Sequence, residues 1–181
     1  MRLLPLDELN VLSDTLQTLS QADTRTKRYL VDKLLDDALD FFLIAYFNGS
    51  QDAAEMLGIS DEPNITKAKE AINKKIADKD YKDRVREYAE AGNTDAIVKV
   101  LDTDMTRIYN TGVLDTAQGK AVNKTWNTML DEKVRDPHKI LEAVTIPIDA
   151  DFYTDGDHAP QPGLFSKAEL NVNCRCFLTV S

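Results

Sequence analysis

The sequence predicts an α+β protein, with a mainly helical N-terminal two thirds followed by a small α+β module that contains a short antiparallel sheet. Apolar residues recur at three- and four-residue steps through the first part of the chain, as on one face of a helix. After Gly119 the pattern changes, because residues 122–128 alternate in a β-favouring composition. We therefore expect a helical region at residues 1–100 and a C-terminal module at residues 101–181.

Composition places the chain among globular proteins. Its 181 residues are 43% hydrophobic, which is enough for a packed core. A net charge of -9 repels nucleic acid and anionic membranes from the chain as a whole. The most apolar stretch, residues 38–47, contains Asp40 and is too short to cross a bilayer. We expect no signal peptide, no membrane association and, with two cysteines, no disulfide framework.

The helical pattern is clearest between Leu9 and Phe47. Asn48-Gly49 is typical of a left-handed cap, so we predict that the helix ends there. Ser50 would then cap a short helix that stops at Gly58. The two helices would form a helical hairpin.

Three further amphipathic segments follow. The first begins at Thr66 and carries apolar residues as far as Ile76, the second covers residues 81–88, and the third is capped by Thr94 and extends to Ile108. Each presents an apolar stripe, so each is expected to pack as a helix.

The C-terminal module is expected to contain one helix between strands. Asp131 can cap a helix that carries Val134, His138 and Leu141 on one face. A turn-rich stretch at residues 155–163 follows, and the chain closes on a strand that includes both cysteines.

Both cysteines lie in the tetrapeptide Asn173-Cys174-Arg175-Cys176. On a strand the two thiols would share one face, while a disulfide between them is disfavoured by the extended backbone. They are either half of a metal site or two buried reduced thiols. A structural zinc would need further ligands, for which His138 is the best third candidate. Otherwise His138 is a hydrogen-bonded core histidine.

A group of residues is expected to hold the module together: Trp126, Asp131, Arg135, His138, Cys174, Arg175 and Cys176. Trp126 would anchor the core, because one large aromatic side chain buries more area than its neighbours. Arg135 would pair with Asp131 or with a main-chain carbonyl, and Arg175 with groups across the sheet or on a partner.

The only concentration of basic residues lies at 67–86. Its candidates for nucleic-acid contact are Lys67, Lys74, Lys75, Lys82, Arg84 and Arg86. Interleaved acids such as Glu70 and Asp83 also fit a solvated helix face with local ion pairs. Contact with phosphates requires that the basic charges converge in space.

No catalytic motif appears in the chain. Asp131, His138 and His158 could be imagined as a hydrolase set, but they lack metal-ligand spacing, a nucleophile elbow or a phosphate-binding loop. His158 is expected in a flexible turn. We predict that the protein is not an enzyme and that it needs no cofactor other than a possible structural zinc.

The order of motifs from Leu101 onward resembles the phage head morphogenesis family, the Mu F-like minor head proteins. The motifs that carry it are Thr103-Asp104 with Arg107, Asn110 and Gly112, then Lys124-Thr125-Trp126, Asp131 to His138, Asp151-Phe152, Pro162-Gly163 and Asn173 to Cys176. The resemblance covers residues 101 to 178, with a looser helical similarity upstream.

The resemblance implies a non-enzymatic minor capsid protein attached to the portal inside the head. It would act in head assembly, DNA packaging or ejection, and it would be present in the host cytoplasm during assembly. Portal, capsid or scaffold proteins are its implied partners, with the helical region at residues 1–100 as the candidate contact. The alternative is an internal head protein that associates with phage DNA through residues 67–86.

Overall fold

A computed structural model describes residues 6–60, 62–76 and 78–181. The elements in chain order are α1 Leu6–Gln21, α2 Thr24–Leu57, α3 Ile65–Ile72, α4 Tyr81–Glu90, α5 Thr94–Ala117, β1 Asn123–Asn127, α6 Asp136–Lys139, β2 Thr145–Pro147, β3 Phe152–Thr154, β4 Asp157–Ala159, α7 Ala168–Asn171 and β5 Phe177–Val180. This order confirms the predicted α+β class. No helix among these residues is long and apolar enough to cross a membrane.

Helix α2 continues through Asn48-Gly49, so the predicted helical hairpin is wrong. Gly49 lies against α5, where an added Cβ would stand 2.1 Å from the carbonyl oxygen of Tyr109. Gly112 is its counterpart on α5, with 2.2 Å to the carbonyl oxygen of Tyr46. The two glycines allow the helix backbones to approach closely. The helix ends instead at Gly58, whose φ of 62° gives a left-handed cap.

Polar bonds between α2 and α5 flank this close approach. Tyr46 donates a hydrogen bond of 2.8 Å to Asp115, and Tyr109 donates one to Asp52. Burial and the bonded carboxylate of Asp52 raise the pKa of Tyr109. Because each tyrosine reaches across to the opposite helix, the crossing is fixed in register as well as in distance.

The starts of the helices follow capping chemistry. Asp23 accepts hydrogen bonds from the main chain at the start of α2, and Asn64 does so for α3. Asn93, not Thr94 as predicted, caps α5 by accepting from Ala96 N. Ile76 lies beyond the end of α3 and forms an isolated bridge with Lys79, so the helix predicted from Thr66 to Ile76 is shorter than expected.

The sheet of the module has the strand order β2-β1-β5, with antiparallel pairing throughout. In β1, Trp126 lies opposite Leu178 of β5. Lys124, on the same strand, is buried, and its amine donates a 2.8 Å bond to Pro160 O. Burial lowers the pKa of Lys124, while Asp151 acts in the opposite direction. The predicted strand at residues 122–128 is confirmed.

Strand β5 begins after the cysteines, so the prediction that they belong to the strand is wrong. The carbonyl of Cys174 accepts from Thr106 Oγ1 at 2.9 Å, and that of Cys176 accepts from Asn110 Nδ2 at 3.2 Å. Side chains of α5 therefore take the place of a neighbouring strand. The two cysteines are nevertheless buried on one side, with Arg175 between them directed away.

The predicted helix that begins at Asp131 is also wrong. Asp131 instead closes a turn by accepting from Lys133 N at 3.0 Å, and α6 begins only at Asp136. Pro137 explains the difference, because it has no N–H to donate and fits only the first turn of a helix. His158 lies in β4 and not in a turn, since the turn falls at Asp155-Gly156.

Helix α5 lies at the centre of the molecule. It packs against α2, α4 and β5. It continues across residues 100 and 101, the predicted boundary between the helical region and the module, so one rigid element reaches both parts of the chain.

Candidate metal centre

Three side chains that can bind a metal meet in the C-terminal module. His138 Nδ1 lies 3.6 Å from Cys174 Sγ and 3.4 Å from Cys176 Sγ. All three ligand atoms lie within 4.8 Å of one another, and all three residues are buried. The side chains come from positions 36 and 38 residues apart in the sequence, so folding alone brings them together.

Aromatic rings position the histidine. The indole of Trp126 lies edge-on to the His138 ring, with 5.4 Å between centroids, and Phe165 stacks on the ring at 6.0 Å. Trp126 also contacts Phe152 at 5.2 Å. His138 sits on the short helix α6, so this packing holds a side chain that its own helix could not fix.

The main chain of the cysteine segment is held by α5. Besides the two carbonyl bonds from Thr106 and Asn110, the amide of Leu178 donates to Asn110 Oδ1 at 2.9 Å. Asn110 thus accepts from one residue of the segment and donates to another. Asn173 takes a φ of 56°, which turns the chain into the site.

The two thiols have opposite electrostatic environments. Hydrogen bonds from the Cys176 thiol and from His138 hold the pKa of Cys174 below the value of a free thiol, against the effect of burial. The hydrogen bond to Cys174, burial and the negative charge on Cys174 raise the pKa of Cys176. The two thiols therefore differ in how readily they give up their protons.

Two arginines stabilise the segments around the centre. Arg135 donates to the carbonyls of Glu169 and Val172, so it pairs with the main chain and not with Asp131. Asp131 instead accepts from Arg175 at 2.7 Å. This hydrogen bond lowers the pKa of the Asp131 carboxyl. The arginines thus tie the loop before α6 to the segment that carries the cysteines.

A small cavity of about 20 Å³ adjoins the centre. Met129, Lys133, Arg135 and Arg175 line it together with the three candidate ligands. This volume is enough for about one water molecule and is far below the roughly 300 Å³ of a small-molecule site. The cavity beside the centre therefore has the size of a single water molecule.

A buried polar row on α5 was not recognised as a site from the sequence. Arg107 is fully buried, where it pairs with Asp104 at 3.0 Å and donates to Ala71 O at 2.7 Å. Asp104 also binds Arg84 at 2.5 Å, and Gln161 donates to Arg107 O at 2.8 Å. The sequence feature that indicates this buried row is the three-residue spacing of Asp104, Arg107 and Asn110 within an apolar helix pattern.

The basic stretch contains exposed lysines and residues that have partners in the fold. Lys67, Lys74 and Lys75 are exposed on and after α3. The other three candidates have partners in the fold: Arg84 pairs with Asp104 of α5, Arg86 with Asp32 of α2, and Lys82 lies over the ring of Tyr81. The two arginines thus pair with acids of other helices and not with the interleaved acids of the basic stretch.

Comparison with known proteins adds one short match and one long match. The NAD(+)--arginine ADP-ribosyltransferase EFV of Enterococcus faecalis (strain ATCC 700802 / V583) is 33% identical over 58 residues, or 32% of this chain. The match covers only 12% of the length of that protein. No solved structure is significantly similar.

The long match is to a protein family and covers residues 65–179, from the start of α3 to β5. It includes the polar row of α5, Trp126, His138 and both cysteines. The chain therefore belongs to the family described as Phage Mu protein F like protein, a structural phage family that suggests a role in head morphogenesis.

Proposed function

We propose that the protein is a non-enzymatic minor capsid component, attached to the portal inside the phage head, that acts in head assembly, DNA packaging or ejection. The family match over residues 65–179 carries this proposal. The size of the cavity at the candidate metal centre supports a structural role, because no substrate fits there. The protein would reside in the virion near the portal, and in the host cytoplasm during assembly.

The proposed portal contact is a groove between α1 and α5, at the boundary between the helical region and the module. Its volume is about 580 Å³, and Leu16, Val98, Leu101 and Met105 supply its apolar lining. Val98 is 49% exposed, so it contributes accessible apolar surface to this groove.

Charge indicates the chemistry of the partner segment. Asp95 and Asp102 line the groove, and no basic residue does so among the described residues. Burial raises the pKa of Asp102, Arg175 acts in the opposite direction, and no described residue donates a hydrogen bond to its carboxylate. A half-buried carboxylate without a donor favours a cationic partner group. The proposed occupant is a basic amphipathic segment of the portal protein.

Portal binding is tested by pull-down and titration of the purified portal protein. Val98→Asp and Asp102→Lys should each weaken binding at least tenfold, whereas Val122→Asp, at an exposed valine outside the groove, should leave it unchanged. Binding by the wild type that neither groove variant weakens would refute the groove and leave the portal contact standing. No binding by well-folded wild type would refute the portal contact itself.

A DNA-associating role is the second candidate, and the exposed Lys67, Lys74 and Lys75 favour it. A gel-shift titration at several salt concentrations tests it. Binding that weakens steeply with salt, and that is lost when the three lysines become glutamate, would support the role. No binding at low salt would exclude it.

We also propose that the centre formed by His138, Cys174 and Cys176 binds zinc with a structural role. One nitrogen and two sulfur donors suit Zn²⁺ better than the hard cations, which prefer oxygen. An ion here would join α6 to the cysteine segment. Elemental analysis of protein prepared without chelator should give close to one zinc per chain, and a value near zero would refute the proposal.

A further inference from the structure

The convergence of two sulfurs on one nitrogen needs an explanation. A ring nitrogen carries either one proton or one lone pair, so Nδ1 of His138 can make one good hydrogen bond and not two. Yet both sulfurs approach it, at 3.6 Å and 3.4 Å. The other ring nitrogen, Nε2, is buried with no hydrogen-bond partner among the described residues. A single cation between Nδ1 and the two sulfurs would satisfy these three ligand atoms together, while Nε2 would keep its proton.

The distances match those of a tetrahedral zinc ion. Bond lengths of about 2.3 Å to sulfur and about 2.05 Å to nitrogen, at a tetrahedral angle, place the sulfur and nitrogen atoms about 3.6 Å apart. The observed separations are 3.6 Å for Cys174 and 3.4 Å for Cys176. Both nitrogen–sulfur separations therefore fit an ion bound between these atoms.

Three protein ligands leave one position of the tetrahedron. No other histidine, cysteine or carboxylate among the described residues joins the cluster as a fourth ligand. The adjoining cavity of about 20 Å³ has room for about one water molecule. Lys133, Arg135 and Arg175 line it, and their charge favours a ligand that carries negative charge or a lone pair.

We propose that zinc in this centre is bound by Cys174 Sγ, Cys176 Sγ and His138 Nδ1, and that its fourth ligand is a water molecule or hydroxide held in this cavity. The inference rests on the zinc binding proposed for the same centre and adds its coordination. On binding, the ion displaces the remaining thiol protons to solvent, and no electron is transferred. The centre thus has the ligand number of a catalytic zinc but the enclosure of a structural one.

X-ray absorption at the zinc edge tests the ligand set. The expected first shell contains two sulfurs at about 2.3 Å and two lighter atoms at about 2.0–2.1 Å. A third sulfur would overturn the proposal, because the thioether of Met129 would then complete the site. Met129→Leu serves as the matched control and should leave the shell unchanged.

Cobalt replacement tests the solvent ligand. In Co²⁺-substituted protein transferred to water enriched in oxygen-17, pulsed electron-nuclear resonance should detect hyperfine coupling to oxygen-17. Its absence would mean that a protein atom closes the site. His138→Ala should abolish tight metal binding, whereas His158→Ala, at an exposed histidine, should not change it.

The failures of the two proposals can be distinguished. If neither Zn²⁺ nor Co²⁺ binds to folded wild-type protein, zinc binding and its coordination both fail, and the role in the phage head is unaffected. If the metal binds with four protein ligands, only the solvent ligand is refuted.

Discussion

The crossing of α2 and α5 and the C-terminal module are stabilised in different ways. At the crossing, Gly49 and Gly112 bring two long helices into backbone contact, and ordinary apolar packing surrounds them. In the part of the module that follows α5, the helices and strands have three to five residues each, so regular structure supplies little stability. Side chains bonded to main-chain atoms hold it instead, among them Arg135 and Asn110.

The difference shows where each region is vulnerable. Long helices tolerate surface changes but not added volume at their contact, because a packed interface has no room for it. Short elements depend on single polar or aromatic side chains, because each such side chain satisfies several neighbours. We therefore expect the helix crossing to be sensitive to added volume, and the module to be sensitive to the loss of single polar or aromatic side chains.

The largest effect is expected from Trp126→Ala in the module. The indole is fully buried and contacts His138, Phe152 and Phe165, so its loss should lower the free energy of unfolding by about 3–5 kcal/mol. Denaturant unfolding measures this loss. Tyr153→Ala, at an exposed aromatic of the same module, should cost less than about 1 kcal/mol. Equal costs would show that the module has no single anchor.

Gly112→Ala should have the next largest effect, at the helix crossing. The added methyl group must push the two helices apart, at a cost of about 3 kcal/mol. Thermal and denaturant unfolding give the value. Asn48→Ala, at an exposed position beside Gly49, should change stability by no more than about 0.5 kcal/mol. A Gly112→Ala variant as stable as the wild type would contradict the close approach.

Asn110→Ala should break the joint between α5 and the cysteine segment. It removes the acceptor for the buried amide of Leu178 and a donor to Cys176 O, which should cost about 2 kcal/mol. Hydrogen exchange at the Leu178 amide should accelerate more than exchange within α2. Thr18→Ala, which removes an exposed side-chain bond to the carbonyl four residues earlier, should cost no more than about 0.5 kcal/mol. Uniform acceleration along the chain would refute a local joint.

Arg175→Ala should have the smallest effect of the four. The ion pair with Asp131 spans 2.7 Å, but both side chains are more than a third exposed, so water and salt weaken it. The expected loss is below about 1 kcal/mol, and added salt should reduce it further. A double-mutant cycle with Asp131→Ala measures the coupling. A coupling above about 2 kcal/mol would place this pair with the buried bonds of the module.

The sequence predicted the regular parts of the fold well. The alternation at residues 122–128 located β1, and three- and four-residue steps located the helical segments, because burial on one face imposes these periods directly. The break between α1 and α2 at residues 22–23 was not predicted. The glycine at position 49 misled the prediction, since a glycine that ends a helix and one that admits a neighbour are the same residue type. The burial of Ala45, Gly49 and Ala53 at four-residue steps identifies the second case.

The candidate site was less predictable from the residues alone. The pairing of the two cysteines on one side followed from local geometry, but their approach to His138 depends on contacts between residues 36 and 38 positions apart. Periodicity carries no information about such contacts. Pro137, which delays the start of α6, and Asn110, which replaces a strand partner, are tertiary effects of single residues. Asp104 and Arg107 stand out in the sequence only through the family resemblance, and their buried ion pair could not be predicted from it.

The reactivity of the buried Lys124 amine can be used to detect opening of the module. An amine that is enclosed and bonded to Pro160 O is shielded from reagents that modify lysine, and once released it is as reactive as any other. Timed acylation followed by mass spectrometry would therefore record each opening of the module at this position. In phage particles that contain the protein, as proposed above, the same measurement would show whether the C-terminal fold remains closed.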